Sequence, residues 1–244
     1  MTEPVAQNYY PVNAKILIKD DISQLGVLSD RSQAGSSLQD GCVELMVHRR
    51  LLDDDAFGVG EALNEQAFGT GLVAVGKHII LMNNDEEAFN EDHVVKAMEL
   101  FYEPMTIFGE LDQGVNFPRS PQLSEALPKN VHILTLRKID YVNDPFGKYL
   151  FLQLEHIFES NQHSILSQSV TVDLETMFNS ASIAVESYKE TNLAGSVWKD
   201  KVSRLRFNKD SNEIPRFDDY QEMSSQWVIT LSPMDIRSFI IKYN

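Results

Sequence analysis

The chain has one cysteine, no run of about 20 apolar residues and a deficit of positive charge, and each shortage narrows what it can be. A single thiol, Cys42, excludes an internal disulfide, a thiolate zinc cluster and a Cys-x-x-Cys redox pair. Placed between Gly41 and a strand-like run, Cys42 is expected to be a small buried hydrophobe rather than a reactive group. No apolar run is long enough to span a membrane, and residues 1–7 lack the basic and apolar regions of a leader, so no targeting signal is expected in this stretch. The 21 basic residues stand against 36 acidic ones, leaving a formal charge of -15. That charge repels phosphate backbones and anionic lipid, which excludes nucleic acid and membrane surfaces as partners. No Asn-x-Ser/Thr sequon occurs, so Asn-linked glycosylation is not expected.

What is present is a chain of 244 residues, 43% hydrophobic, long enough to bury a sizeable core as one large or two modest domains. Short apolar runs with period-two alternation dominate it, bounded by Gly, Pro, Asn and Asp. The clearest is 149–158, where Leu150, Leu152 and Leu154 share a face with His156 and Phe158. Similar runs occupy 14–19, 25–29, 43–52, 78–82, 131–139, 170–174, 182–191, 227–231 and 238–243. Their spacing, with no alternating helices, predicts an all-β protein of antiparallel sandwiches with helix limited to short pieces. The stretch 90–102 fits a helix or a strand, since Glu91 and Asp92 suit a helix start while Val94 and Val95 suit a strand. A loop rich in Pro, Gly, Ser and Asn over 109–130 is the best internal boundary, giving domains 1–128 and 129–244. A second polar stretch, 208–223, precedes the final strands.

Side chains able to carry chemistry are scattered. Asp53, Asp54 and Asp55 form the densest acidic cluster, but they follow a strand-like run and precede Gly58, the setting of a capping turn. No pair of carboxyl groups is singled out by spacing, so no catalytic residue is assigned. The six histidines show no His-x-His or His-x-x-x-His spacing, and no metal site is assigned to this chain. The segment 32–37 lacks the Gly-x-x-x-x-Gly-Lys pattern of a phosphate loop and reads as a tight β-connection. Trp198 and Trp227, flanked by strand signals, read as packing residues rather than sugar platforms.

Several long strings resemble the C-terminal half of α-mannosidases of glycoside hydrolase family 38, lysosomal type, and they occur in family order. They include Thr2-Glu3-Pro4-Val5-Ala6-Gln7-Asn8-Tyr9-Tyr10-Pro11-Val12-Asn13, Val27 to Gly41, and Glu44-Leu45-Met46-Val47-His48-Arg49-Arg50-Leu51-Leu52. The likeness returns at Asn130 to Leu136, Leu152 to Phe158 and Leu231 to Phe239, so it covers nearly the whole chain. This resemblance implies part of a galactose-mutarotase-like supersandwich, truncated at its N-terminal side, followed by a smaller C-terminal β-sandwich. It further implies a retaining exo-α-mannosidase that trims N-glycans at acidic pH, lysosomal or secreted. The family's zinc ion, its ligands and the Asp nucleophile are implied to lie in an N-terminal α/β portion, outside this chain. That catalytic portion is the expected partner, mannosyl glycans are reached through the full-length enzyme, and this chain alone is expected to be inactive. Family members often carry a sequon near Asn64, where this chain has Gln66.

The resemblance also suggests that the strand with His48-Arg49-Arg50 and the loop beginning at Arg31 lie near the rim of the catalytic cleft. Arg forks suit sugar hydroxyls and carboxylates, and neighbouring side chains on a strand point to opposite faces. Arg49, Arg50, Arg31 and Asp30 are therefore the substrate-cleft candidates, against internal ion pairs with Asp30 or Asp53. A free-standing carbohydrate-binding module and an interaction scaffold with no sugar role are the alternatives.

Overall fold

A computed structural model describes residues 8–110, 123, 126–140, 147–178, 183–203 and 227–244. The protein is mostly strands, and every strand pairing among the described residues is antiparallel. It divides into two units, 1–108 and 109–244. The division falls at the start of the loop 109–130, whereas the sequence reading divides the chain after residue 128. Most of that loop, the polar stretch 208–223 and the first residue of the run 182–191 lie outside the described residues.

The first unit contains two three-stranded sheets. One has the order β1 (Tyr10–Val12), β4 (Gln33–Ser36), β5 (Glu44–Met46), and the other β2 (Lys15–Lys19), β3 (Gln24–Ser29), β8 (His78–Asn83). A minimal hairpin of β6 (Gln66–Ala67) and β7 (Thr70–Gly71) lies between β5 and β8 in sequence. Helix α1 (Glu86–Phe101) settles the stretch that reads as helix or strand, and at 16 residues it is more than a short piece. Its start is fixed upstream of that stretch. The Asp85 carboxylate accepts a hydrogen bond from Ala88 N–H at 3.1 Å, and Glu86 and Glu87 complement the positive end of the helix dipole. The helix buries Phe89, His93, Val94 and Leu100. Phe89 lies over Gly26 of β3, where an added Cβ would stand 3.2 Å from its ring, so glycine at 26 lets helix and sheet approach.

The second unit packs a four-stranded sheet, ordered β12 (Val185–Thr191), β14 (Ile236–Tyr243), β10 (Lys148–His156), β9 (Val131–Ile139), against a two-stranded one, β11 (Val170–Asp173) with β13 (Val228–Leu231). The alternation that predicts β10 places Leu150, Leu152 and Leu154 in the core with Phe239 and Ile241 of β14 and Val172, Ile229 and Leu231 of the smaller sheet. Helix α2 (Leu174–Phe178) closes the edge of this core with Leu174, Met177 and Phe178. It starts where Asp173 accepts from Glu175 N–H at 2.9 Å, so the run expected as a strand through residue 174 ends one residue earlier. The opposite face of β10 is less wet than its polar residues suggest. Gln153 is half-buried, and its amide donates to Leu193 O at 3.0 Å and to the Ser238 hydroxyl at 2.9 Å.

Cys42 is exposed, contrary to the expectation of a buried thiol. It follows Gly41, whose φ of 73° belongs to the turn joining β4 to β5, and its N–H donates to Gln39 O at 3.1 Å. A turn residue with backbone bonds of this kind points outward even beside a strand.

Candidate functional site

The candidate residues fall into two clusters, both in the first unit. Asp30 and Arg31 follow β3 directly. The Arg31 guanidinium grips its neighbour in a two-point contact, Nε at 2.9 Å from Oδ1 and Nη2 at 3.2 Å from Oδ2. Asp30 Oδ2 also accepts from Lys77 N–H at 2.9 Å, and Arg31 Nη2 donates to Val75 O. The pair thus ties the segment entering β8 to the end of β3. The Arg31 hydrogen bonds hold the Asp30 carboxyl below its usual range, and the same contact holds the guanidinium above its own. Arg31 lies so close to Gly76 that a side chain there would displace it. Asp30 is thus ion-paired with Arg31, and among the described residues no ion pair joins Arg49 or Arg50 to Asp30 or Asp53.

Arg49 and Arg50 do not stand on a strand. The run 43–52 forms a ladder over Glu44–Met46 alone, because β5 pairs with β4 over those three residues and has no second neighbour. Both are exposed on a loop, so strand alternation does not set their directions. Arg50 Nε donates to Asn64 Oδ1, and its guanidinium lies against Gly71, where a Cβ would stand 2.9 Å from Nη1. Leu51 N–H donates to Leu63 O at 3.0 Å, which brings the two sides of this loop together. Arg49 is exposed and has no hydrogen bond or ion pair among the described residues. No hydrogen bond or ion pair among those residues joins the Asp30–Arg31 cluster to the Arg49–Arg50 cluster.

Asp53, Asp54 and Asp55 are exposed, and Asp55 Oδ1 accepts from Phe57 N–H at 3.0 Å beside Ala56 at φ 59°. That is a capping turn. The segment 32–37, expected as a tight connection, contains strand β4 instead. Trp227 packs on the core of the second unit, 5.6 Å from the Tyr188 ring, while half-buried Trp198 has Lys189 Nζ 4.9 Å from its ring centroid. Among the described residues no three His, Cys, Asp or Glu side chains converge as a metal site would require.

Three charged or polar arrangements carry no sequence signal, because their members are far apart in the chain. Glu190 of β12 holds Arg237 of β14 through contacts of 2.6 and 3.1 Å, with Arg237 also donating to Thr230 O at 2.9 Å. His132 and Glu155 meet across β9 and β10 at 2.7 Å. His93, 1% exposed, faces Lys15 Nζ at 2.8 Å. Burial, followed by the repulsion of Lys15, pushes the His93 pKa down to about 4. A neutral imidazole that accepts at Nδ1 from the lysine is the consistent reading. None of the three brings two carboxyl groups together. Each binds a cation or an imidazole, as structural pairs do.

No protein-family profile matches the chain. Individual proteins do. Over 247 residues it is 40% identical to the lysosomal alpha-mannosidase of Bos taurus and 37% identical to that of Homo sapiens, with 98% of this chain covered in both cases. It is 32% identical to the lysosomal alpha-mannosidase of Dictyostelium discoideum, over its whole length. The chain is thus homologous to a segment of α-mannosidases. More narrowly, it corresponds to part of the lysosomal α-mannosidases, and it spans about a quarter of the length of the curated relatives it matches.

Proposed function

We propose that this chain is the non-catalytic C-terminal β portion of a retaining exo-α-mannosidase of glycoside hydrolase family 38, acting in lysosomal breakdown of mannosyl glycans. It packs against an N-terminal catalytic portion that holds the zinc and the nucleophile, and it supplies part of the cleft wall. The observation that carries this reading is identity to lysosomal α-mannosidases sustained over 98% of the chain. The geometry is compatible with a structural role, because Asp30, Glu155 and Glu190 are each engaged by Arg or His rather than paired as an acid and a nucleophile. Arg49, exposed and without a partner among the described residues, is the side chain best placed to reach a sugar or a carboxylate of the catalytic portion. Arg50, fixed by Asn64, would hold the loop that presents it.

The test is complementation. The 244-residue chain alone should leave a chromogenic α-mannoside unhydrolysed. Added to a bovine lysosomal α-mannosidase lacking the matched segment, it should restore turnover. Arg49→Ala with Arg50→Ala should reduce that rescue more than alanines at Asp53, Asp54 and Asp55. Hydrolysis by the chain alone would overturn the non-catalytic assignment, and normal rescue by the double Arg variant would remove the cleft role.

A further inference from the structure

The sheet β2–β3–β8 is finished on one face and not on the other. In its register Leu17 stands beside Gly26 and Leu81, and Lys15 beside Leu28 and Ile79. That face is covered by α1, through Phe89 against Gly26 and His93 against Lys15. The opposite face carries Ile16, Val27 and Ile80 in one row and Ile18, Leu25 and Met82 in the next. Among the described residues, strand β4 reaches this face at one end. Gln33 Oε1 is 3.0 Å from His78 Nε2, and a Cβ on Gly35 would stand 3.4 Å from Ile16 Cδ1. Ile16, Ile18, Leu25 and Val27 are half-buried, whereas on β8 Ile80 is 69% and Met82 72% exposed. No acidic or basic residue other than His78 occupies the paired positions of this face, in a chain of net charge -15. The contrast with the second unit is plain, since there the two sheets close on a single core.

We propose that the exposed β8 side of this face seats an apolar, strand-forming segment of the longer α-mannosidase polypeptide, which extends the β1–β4–β5 layer over Ile80 and Met82. The inference rests on the proposed function and names the surface through which that association runs. The relatives' length favours this occupant, because more than three quarters of the bovine and human proteins lies outside the matched segment. The chemistry favours it too. An uncharged face of alternating aliphatic side chains offers nothing to a sugar, a phosphate or a charged peptide, and it matches the inner face of another sheet. Further apolar exposure falls in the same unit, at Leu52, Phe57, Phe68 and Val73 of the connection between β5 and β8.

The experiment mixes the 244-residue chain with the bovine lysosomal α-mannosidase lacking the matched segment and compares wild type with Ile80→Lys, Met82→Lys. Both positions are exposed, so the double variant should keep the circular-dichroism spectrum of the wild type. It should associate at least about tenfold more weakly. As a second reading, peroxide should oxidise Met82 rapidly in the isolated chain and slowly in the complex. If wild type and variant associate equally and Met82 stays reactive, the seat lies elsewhere and the proposed function survives. If the wild-type chain does not associate at all, both fall. If instead the chain alone dimerises and the double variant does not, a second copy is the occupant and the proposal is overturned.

Discussion

Replacing Leu152 by Ala tests the core of the second unit directly. Leu152 has no exposed surface and sits in the middle of β10, opposite Phe239 on one flank and Leu136 on the other. Losing three buried carbons costs roughly 2–2.5 kcal/mol in transfer free energy alone, at about 0.8 kcal/mol per methylene. Both flanking strands are held in register by their ladders, so the site cannot collapse, and the cavity left behind raises the expected loss to about 3–5 kcal/mol. Both tryptophans of the chain, Trp198 and Trp227, belong to the same unit as Leu152. Their fluorescence during a urea titration therefore follows that unit without interference from the other. The midpoint should fall while the slope with denaturant is unchanged. Gln153→Ala is the comparison. It gives up the hydrogen bonds to Leu193 O and Ser238 and should cost about 1–2 kcal/mol, more than a solvated glutamine would. A Leu152→Ala midpoint no lower than that of Gln153→Ala would refute the assigned face of β10 and the two-sheet core built on it.

Gly195→Ala should destabilise the same unit by about 2 kcal/mol in the same titration, because Gly195 has φ 69° and its Cβ would stand 2.8 Å from Phe151 Cε2. Acid should weaken the first unit through His93, whose folded pKa of about 4 lies below its ordinary 6.5. Between those values the unfolded chain binds the proton and the folded one does not, so stability is complete above about pH 6.5 and falls by roughly 2–4 kcal/mol as pH drops toward 4. Hydrogen exchange of α1 amides across that window, with His93→Gln as a variant that should flatten the dependence, measures it.

Strand content was legible where a run alternates and is later used as a ladder. The run 131–139 coincides with β9, and 149–158 gives the buried face of β10, because β10 is paired on both flanks and β9 is paired along its length with β10. What alternation does not carry is partnership. Leu150 pairs with Ile241 and Lys189 with Ile240 across long stretches of chain, and nothing local announces either match. Helix α1 is ambiguous in the sequence because its buried stripe, Phe89, His93, Val94 and Leu100, includes a histidine and the β-branched Val94, and its cap Asp85 precedes the stretch 90–102. The candidate arginines show the same limit. The residue types were read from the sequence, but Arg49 and Arg50 were placed on a strand that stops at Met46 for want of a neighbour. Asp30 and Arg31 are legible as candidates, whereas their ion pair with each other and their hold on Lys77 and Val75 depend on β8 returning beside β3.

β14 lies between β10 and β12, and both of those strands are synthesised before it. As the chain leaves the ribosome, β9 and β10 can form their hairpin early, but one edge of β10 and one edge of β12 stay open until β14 arrives. During that interval Leu150, Phe151, Leu152 and Leu154 have only half their shelter, on a strand with unpaired backbone groups along one side. Such an edge invites pairing with a neighbouring nascent chain. The interval between the emergence of β12 and that of β14 is therefore when this half of the protein is most open to wrong pairing.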